Sequence, residues 1–315
     1  MPDIKYRILR ILLTLLIITV LNFIIPRAMP GDPLTYLLGE DAMVDAEDIA
    51  ALKHDLGLDR PLPAQFLRYC LDLIRLDLGY SYHYRKSVTS VILDRIPWTL
   101  GLLLPSILLG ACLGTLLGAG SAWTHRKKRF QPLFHLSVLF YSIPAFFLAM
   151  MALNIFSIQL NLLPVKGFYQ GGSFNDILLH YLLPVAVLTL ISFSRNFLVM
   201  RGSVLQEMDH HYVMYARSKG LSPRQVLIRH VFKNALSPLI ALIALDFGFL
   251  FSGALFIEIV FSLNGLGTLI YDSILSRDYP LIQGIFLVIA SMVILANLIG
   301  NGLQLMLDPR TRRSQ

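Results

Sequence analysis

Residues 201–238 read RGSVLQEMDHHYVMYARSKGLSPRQVLIRHVFKNALSP, and this polar, basic stretch interrupts an otherwise apolar chain. Apolar blocks lie on both sides of it, Leu178–Met200 before and Leu239–Phe261 after. Each block reaches the roughly 20 residues that an α-helix needs to cross a bilayer. The stretch, called the basic loop below, is therefore predicted to lie at a membrane surface between two membrane-spanning helices.

The basic loop contains the residues that end one helix and begin another. Gly220 suits the left-handed conformation that ends a helix after Lys219. Ser222, Pro223 and Gln225 form an opening in which the serine caps, the proline fits the first turn and the glutamine completes a capping box. The second helix is predicted from the proline to about residue 236, with one apolar face. The alternative is an ordinary basic cytoplasmic loop, which the positive-inside rule predicts in any case.

The composition indicates a membrane protein that crosses the bilayer several times. Of the 315 residues, 55% are hydrophobic and 15% are charged, whereas soluble proteins carry about 25% charged residues. The mean hydropathy is +0.63. The net charge of +7 is explained by membrane topology, so no nucleic-acid partner is expected.

Six membrane-spanning helices fit the apolar runs, which makes the predicted fold an all-α polytopic membrane protein. The predicted spans are residues 8–28, 99–122, 133–157, 178–200, 239–261 and 281–307. Most lysines and arginines outside the long segment 30–97 lie at the two termini, in the turn 125–129 and in the basic loop. The positive-inside rule therefore places both termini in the cytoplasm.

The predicted organisation has three parts. Residues 1–29 form the cytoplasmic N-terminus and the first helix, and residues 98–315 form the transmembrane core with the basic loop. Between them, residues 30–97 are too polar to enter lipid and form a small helical extracytoplasmic segment. Helices of this segment are predicted at residues 46–56, 63–76 and 88–96.

Ser237-Pro238, at the end of the basic loop, repeats the helix-start pattern, so a new helix is predicted to begin there before the fifth span.

The second span carries a face suited to close helix packing. Gly110, Gly114 and Gly118 follow the GxxxGxxxG spacing, so one side of this helix is bare backbone. That side packs either within the chain or against another subunit. Prolines inside spans two, three and four, namely Pro105, Pro144 and Pro184, are expected to bend these helices.

The sequence offers little support for an enzyme. It has no GxxxxGK[ST] phosphate-binding loop, no HExxH or GxSxG pattern and no Cys/His cluster with metal-ligand spacing. Cys70 and Cys112 form no recognisable disulfide or metal pattern. The adjacent His210 and His211 are interpreted as surface residues. We therefore expect no catalytic residues, no metal site and no cofactor bound by this chain.

A few polar residues inside the spans are candidates for a solute pathway. Asp246 lies about two turns into the fifth span, where a carboxylate normally faces water or a partner. It either lines a pathway and meets a cationic part of the substrate, or it forms hydrogen bonds in an interface. Asn297 and Asn301 lie on one face of the sixth span and either line a cavity or join helices. No acidic relay or filter-like motif supports a proton-coupled transporter or a channel.

Ordered motifs along nearly the whole chain resemble permeases of the dipeptide, oligopeptide and nickel family of ABC importers. In the basic loop these motifs are Tyr212-Val213, Ala216-Arg217, Lys219-Gly220-Leu221, Arg229-His230 and Asn234-Ala235-Leu236 with Pro238. Before it they are Pro30-Gly31-Asp32-Pro33, Leu56-Gly57-Leu58-Asp59 with Pro61-Leu62, Asp77-Leu78-Gly79 with Ser81, and Ser142 with Pro144 and Phe146. After it they are Glu258 with Val260-Phe261-Ser262, Gly265-Leu266-Gly267, Arg277-Asp278-Tyr279-Pro280 with Gln283-Gly284, and Leu307-Asp308-Pro309-Arg310. The long segment after the first span resembles the first of the two permease subunits.

This resemblance implies a set of partners and a location in the inner (plasma) membrane. The partners are a second homologous permease in a heterodimer, two ABC ATPases that use ATP and Mg, an extracytoplasmic substrate-binding protein and the lipid bilayer. The implied function is a permease subunit that forms the pathway for peptides or a related small solute. A nickel or metal-chelate importer of the same family is the alternative, and a channel or secondary transporter is less favoured.

The resemblance also assigns roles to residues. The basic loop corresponds to the loop that couples a permease to its ATPase, and the implied coupling residues are Tyr215, Ala216, Arg217, Ser218, Lys219, Gly220, Leu221, Ser222 and Pro223. Met214 and Tyr215 replace the Glu and first Ala of the general importer signature, while Ala216 and Gly220 agree with it. Ser142 joins the pathway candidates. Asp246 stands where the family has a Gln, so it is a candidate for substrate selectivity.

Overall fold

The computed structural model describes residues 4–28, 59–81, 83–123, 130–165 and 174–307, which are mostly helical. The helices are α1 (Ile4–Ala28), α2 (Leu62–Ile74), α3 (Val88–Trp123), α4 (Gln131–Ser142), α5 (Ala145–Ala152), α6 (Phe174–Met208), α7 (His211–Ser218), α8 (Pro223–Val226), α9 (Phe232–Phe261), α10 (Leu266–Leu275) and α11 (Tyr279–Leu307). π-Helical turns at Leu153–Gln159 and Leu227–Val231 continue α5 and join α8 to α9. Strands β1 (Tyr80–Ser81) and β2 (Lys86–Ser87) pair antiparallel, with Tyr80 opposite Ser87.

The long apolar helices confirm a polytopic membrane protein. Four of them are long and apolar enough to cross a membrane: Val88–Trp123, Phe174–Met208, Pro223–Gly248 and Tyr279–Gly300. The number rises to six if each of two bent helix pairs, Gln131–Ser142 with Ala145–Gln159 and Leu250–Phe261 with Leu266–Leu275, forms one span. The helix α1 adds the shorter apolar stretch Leu9–Ile24. The arrangement of six spans with both termini in the cytoplasm stays a prediction.

The helix boundaries differ from the predicted ones at several places. The short helix predicted at 88–96 is the beginning of α3, which runs without a break into the predicted second span. The helix predicted at 63–76 is confirmed as α2, and α10 was not predicted. The helix predicted at 46–56 lies outside the described residues. The predicted helix start near residue 98 therefore falls inside α3.

Prolines affect these helices in different ways. Pro144 breaks the predicted third span, because α4 and the helix that follows the proline are bent by 108°. Pro184 and Pro238 lie inside α6 and α9 instead. The start of a new helix predicted at Ser237-Pro238 was therefore wrong. In a membrane helix, neighbouring groups can satisfy the carbonyl that a proline leaves free.

The described helices form two compact units, Met1–Pro97 with Gly265–Ile294, and Trp98–Asn264 with Leu295–Gln315. In the first unit, Gly284 of α11 lies against α3, where an added Cβ would come within 2.5 Å of Val88. Asn22 and Gln283 join α1 to α11 by donating to each other's backbone carbonyl, at 3.3 and 3.0 Å.

A buried aspartate organises the non-helical part of the first unit. Asp278 accepts hydrogen bonds from Ser81 Oγ at 2.5 Å and from the backbone N–H of His83 at 3.3 Å. Its second carboxylate oxygen accepts from Leu281 N–H at 3.2 Å, so the same side chain caps α11. Ser81 and Asp278, which are 197 residues apart in the sequence, are therefore in direct contact.

In the second unit, the glycine face of α3 packs within the chain against α6. An added Cβ on Gly114 would lie 2.7 Å from Asn196 Cβ and 2.8 Å from Phe193 O. Gly118 approaches Phe197 O at 2.7 Å in the same way, and Gly110 faces Ser192. The backbones of α3 and α6 therefore approach each other closely along these three glycines.

Candidate functional site

The basic loop folds as its capping residues predicted. The helix α7 ends at Ser218, and Gly220 follows in the left-handed region at φ = 78°. Ser222 then begins α8 with a capping box: Gln225 N–H donates to Ser222 Oγ at 3.4 Å, and Ser222 N–H donates to Gln225 Oε1 at 3.0 Å. The long neighbouring helices take up the outer parts of the loop, since α6 runs on to Met208 and α8 leads directly towards α9.

One face of α7 is buried against the ends of the long helices. Val213 and Ala216 are 1% and 5% exposed. They belong to a hydrophobic cluster whose other buried members are Ala119, Ala122, Met200, Val204, Val226, Val231, Ala235 and Leu239. These residues come from α3, α6, α8, the π-helical turn and α9. The helix α7 is therefore packed against three long helices.

A tyrosine fixes the beginning of α7 by hydrogen bonds. Tyr212 Oη donates to the carboxylate of Glu207 at the end of α6, and Asn234 Nδ2 of α9 donates to Tyr212 Oη at 2.9 Å. Glu207 also lies 3.9 Å from His210 Nε2. The predicted coupling residues did not include Tyr212 or Asn234. Both residues belong to the motifs that resemble the importer family, and this was the only sign in the sequence that they could be important. Their contact with each other is visible only in the fold.

The opposite face of α7 is open. Met214 and Tyr215 are 62% and 66% exposed. Lys219 Nζ lies 4.8 Å from the centre of the Tyr215 ring, and Arg217 Cζ lies 5.6 Å from that of Trp123 at the end of α3. Both distances are within the range of cation–π interactions. This combination of two apolar side chains and two cations is a surface suited to another protein.

The predicted coupling residues therefore divide between two environments. Ala216 is buried and Leu221 is half-buried, so both hold the loop in place. The exposed members are Tyr215, Arg217, Ser218, Lys219, Gly220, Ser222 and Pro223. His210 and His211 are exposed too, which agrees with their interpretation as surface residues.

The buried carboxylate of Asp246 is paired with a cation of the same chain. Arg195 Nη1 of α6 lies 2.7 Å from Asp246 Oδ1 of α9. Asp246 Oδ2 accepts from Asn196 Nδ2 at 2.8 Å and from Ser192 Oγ at 3.4 Å. Asp246, Asn196 and Ser192 are all at most 1% exposed. Charged and hydrogen-bonded partners thus offset the cost of placing this carboxylate at membrane depth.

The other pathway candidates have different surroundings. Ser142 is exposed beside the bend at Pro144, and its Oγ donates to Val138 O at 2.8 Å. Asn297 is half-buried on α11, with Asn301 one turn further along the same helix. The described contacts of Ser142 and Asp246 involve separate partners. A role in the pathway stays a prediction for all four residues.

A second buried carboxylate lies near the other end of α9. Glu258 is 1% exposed and accepts a hydrogen bond from Thr99 Oγ1 of α3 at 2.7 Å. Beside it, Tyr181 Oη of α6 donates to Trp98 O at 3.1 Å. These bonds tie α3 to α6 and α9 at that end. Within the ranges that the structure describes, no three His, Cys, Asp or Glu residues group as metal ligands.

Comparisons with known proteins agree over nearly the whole chain. Residues 110–313 match the model of binding-protein-dependent transport system inner membrane components, and residues 4–103 match the model of their N-terminal region. A putative peptide permease protein of Brucella ovis is 33% identical over 95% of both chains. The glutathione transport system permease protein of Salmonella paratyphi A is 36% identical over 97% of both chains. The di/tripeptide transport system permease protein of Pseudomonas aeruginosa is 33% identical over 95% of both chains.

Proposed function

Because the chain belongs to the family of binding-protein-dependent transport system inner membrane components, we propose that it is the first permease subunit of an ABC importer for peptides. It pairs with a second, homologous permease and with two ATPase subunits that bind ATP and Mg. A binding protein delivers the substrate from the outside. Its relatives named for peptides, di/tripeptides and glutathione support a substrate with peptide bonds.

The two-sided environment of α7 is the observation that carries this proposal. Its exposed side offers Met214, Tyr215 and Arg217 to a partner, while its buried side contacts α3, α6 and α9. When ATP closes the ATPases, α7 moves with them as a rigid body. The packed cluster then passes that movement to the long helices, which alternate between outward and inward openings.

Charge reversal on the exposed side of α7 tests the coupling role. The complex is reconstituted in proteoliposomes with the double variant Arg217→Glu and Lys219→Glu. We expect peptide uptake and substrate-stimulated ATP hydrolysis to fall at least about tenfold, equivalent to about 1.4 kcal/mol, while the variant still inserts in the membrane.

A matched control distinguishes an effect specific to α7 from a general effect of the changed net charge. Arg229→Glu with Lys233→Glu makes the same change at two exposed positions of the same basic loop, outside α7. We expect this control to keep most of its uptake. Full uptake by the α7 variant, or an equal loss in both variants, would show that α7 does not carry the coupling.

The substrate class is tested on the binding protein that works with this permease. Mass spectrometry of the ligand that copurifies with that protein is expected to find short peptides. A nickel ion or a metal chelate in the binding site would instead support the alternative substrate and overturn the assignment to peptides.

A further inference from the structure

An exposed apolar stripe runs along α2. Leu67, Leu71 and Ile74 are 63%, 49% and 79% exposed, and Leu76 just beyond the helix is 82% exposed. The first three follow the spacing i, i+4 and i+7, so they lie on one side of the helix. Isolated apolar residues are common on protein surfaces, but a continuous stripe marks a surface that contacts something apolar.

A different side of α2 is attached to the end of α1. The Phe66 ring packs edge-to-face on Phe23 with centroids 5.1 Å apart, and Tyr69 lies 5.9 Å from the same ring. Arg27 donates to Gln65 Oε1 through both Nε and Nη2, at 3.2 and 3.1 Å. Burial raises the pKa of Tyr69 to about 12, which agrees with a phenol withdrawn from water.

This attachment sets the level of α2 relative to the bilayer. Along α1, an exposed apolar surface suited to lipid is formed by Leu9, Leu12, Leu13, Leu16, Ile17, Leu21 and Ile24. Phe23 lies in the last turn of that apolar run, and the charged Arg27 follows one turn later. The contacts with Phe23 and Arg27 attach α2 to α1 where the apolar run of α1 ends. If α1 crosses the bilayer as its sequence predicts, this attachment places α2 near the boundary between acyl chains and headgroups. The stripe lies on the side of α2 that faces away from these contacts.

Charged residues border the stripe. Arg68 and Arg75 are exposed and, at a spacing of seven residues, share the side of α2 next to Leu71. Leucines beside arginines on one short helix are typical of helices that lie in the membrane surface. The arginine side chains are long enough to reach lipid phosphates while the leucines stay in the apolar layer.

We propose that α2 is a lipid-binding interfacial helix. It lies in the plane of the membrane surface, with Leu67, Leu71 and Ile74 at the acyl boundary and with Arg68 and Arg75 at the phosphates of anionic lipids. The lipid surface thereby holds α2 at a fixed height. This inference does not depend on which solute the protein imports.

Site-directed spin labelling of the full complex tests the proposal. Single cysteines replace Leu67, Leu71, Ile74 and Arg75 in a background with Cys70→Ser and Cys112→Ser. The labelled complex is reconstituted in vesicles of phosphatidylglycerol and phosphatidylethanolamine. The ratio of oxygen to nickel-chelate accessibility is expected to be several-fold higher for labels at the three stripe positions than at Arg75, the matched control.

If protein or water covers the stripe instead of lipid, the labels will show a different accessibility to oxygen and to the nickel chelate. Burial by another protein segment, whether residues 29–58, the second permease or the binding protein, would make the stripe labels inaccessible to both reagents. Water on the stripe would give high accessibility to the nickel chelate. Either result overturns the proposal. Peptide uptake, measured on the same labelled complexes, shows separately that they are folded and assembled.

Discussion

At the scale of single residues, Asp246 shows what the sequence could and could not predict. Its position in an apolar run indicated that the carboxylate needs a partner. The partner is Arg195, which lies 51 residues earlier, inside the predicted fourth span. Only the packing of α6 against α9 brings the two together. Periodicity along one helix cannot identify a partner on another.

Replacing Asp246 tests the contribution of this ion pair to stability. Asp246→Asn leaves Arg195 without its buried counter-charge, and removing one partner of such a pair costs about 3–5 kcal/mol. We expect a lower Tm of the protein purified in detergent micelles. Arg195→Gln combined with Asp246→Asn should recover part of that loss. An unchanged Tm in the single variant would show that the pair contributes little.

The pathway role of Asp246 predicts a separate effect on transport. If the carboxylate meets cationic substrates, Asp246→Asn changes the uptake of cationic peptides more than that of neutral ones. The ratio of the two uptake rates in proteoliposomes measures this. An unchanged ratio would leave Asp246 with a structural role only.

The glycines of α3 give a third residue-scale prediction. At Gly114 an added methyl group would meet Asn196 and a backbone oxygen of α6 below 3 Å, so we expect Gly114→Ala to lower the Tm. Gly120 lies on the same helix with nothing within 4 Å of its added Cβ. There, alanine improves helix propensity by about 1 kcal/mol, and Gly120→Ala should leave the Tm unchanged or raised. Equal effects of the two substitutions would contradict the close packing of α3 on α6.

At the scale of secondary-structure elements, the strongest local patterns were predictive. The capping box at Ser222 and the helix end at Gly220 depend on neighbouring residues only, and both are present. The continuation of α3 from residue 88 and of α9 through Pro238 depends on contacts with other helices. Such contacts override the local helix preferences of the sequence. Helix ends predicted from capping residues were therefore right, whereas the helix boundaries predicted within α3 and α9 were wrong.

The hydrogen bonds of Tyr212 lead to a prediction for α7 as an element. Tyr212→Phe keeps the ring but removes the bonds to Glu207 and from Asn234, each worth about 1 kcal/mol. We expect α7 to be held less firmly, so that fewer peptides enter per ATP hydrolysed in proteoliposomes. Tyr271→Phe makes the same chemical change at an exposed position of α10, outside the basic loop, and serves as the control. If Tyr212→Phe imports as many peptides per ATP hydrolysed as the unchanged protein, packing alone holds α7.

At the scale of the whole molecule, distant motifs meet in ways that the sequence does not reveal. Ser81 and Asp278 both belong to motifs that resemble the importer family, and the structure joins them by a hydrogen bond of 2.5 Å. Gly79 and Pro280, from the same two motifs, are also in contact, with an added Cβ 3.6 Å from the proline. The order of motifs was sufficient to predict the family. The pairs they form required the three-dimensional fold.

The predicted topology can be tested on whole cells. Arg85 lies in the turn between β1 and β2, and Ser218 ends α7; both are exposed. In a background without native cysteines, a membrane-impermeant maleimide should label Arg85→Cys from outside intact spheroplasts. Ser218→Cys should react only after permeabilisation. Labelling of both from the same side would contradict the proposed orientation.

The two faces of α7 also bear on how such transporters diversify. Val213 and Ala216 are constrained by close packing, whereas Met214 and Tyr215 are mostly exposed. If α7 docks the ATPase as proposed, substitutions at the outer pair would change which ATPase binds while leaving the packed side of α7 unchanged. Exchanging these outer residues between two related permeases would then exchange their ATPases while each permease keeps its own substrate.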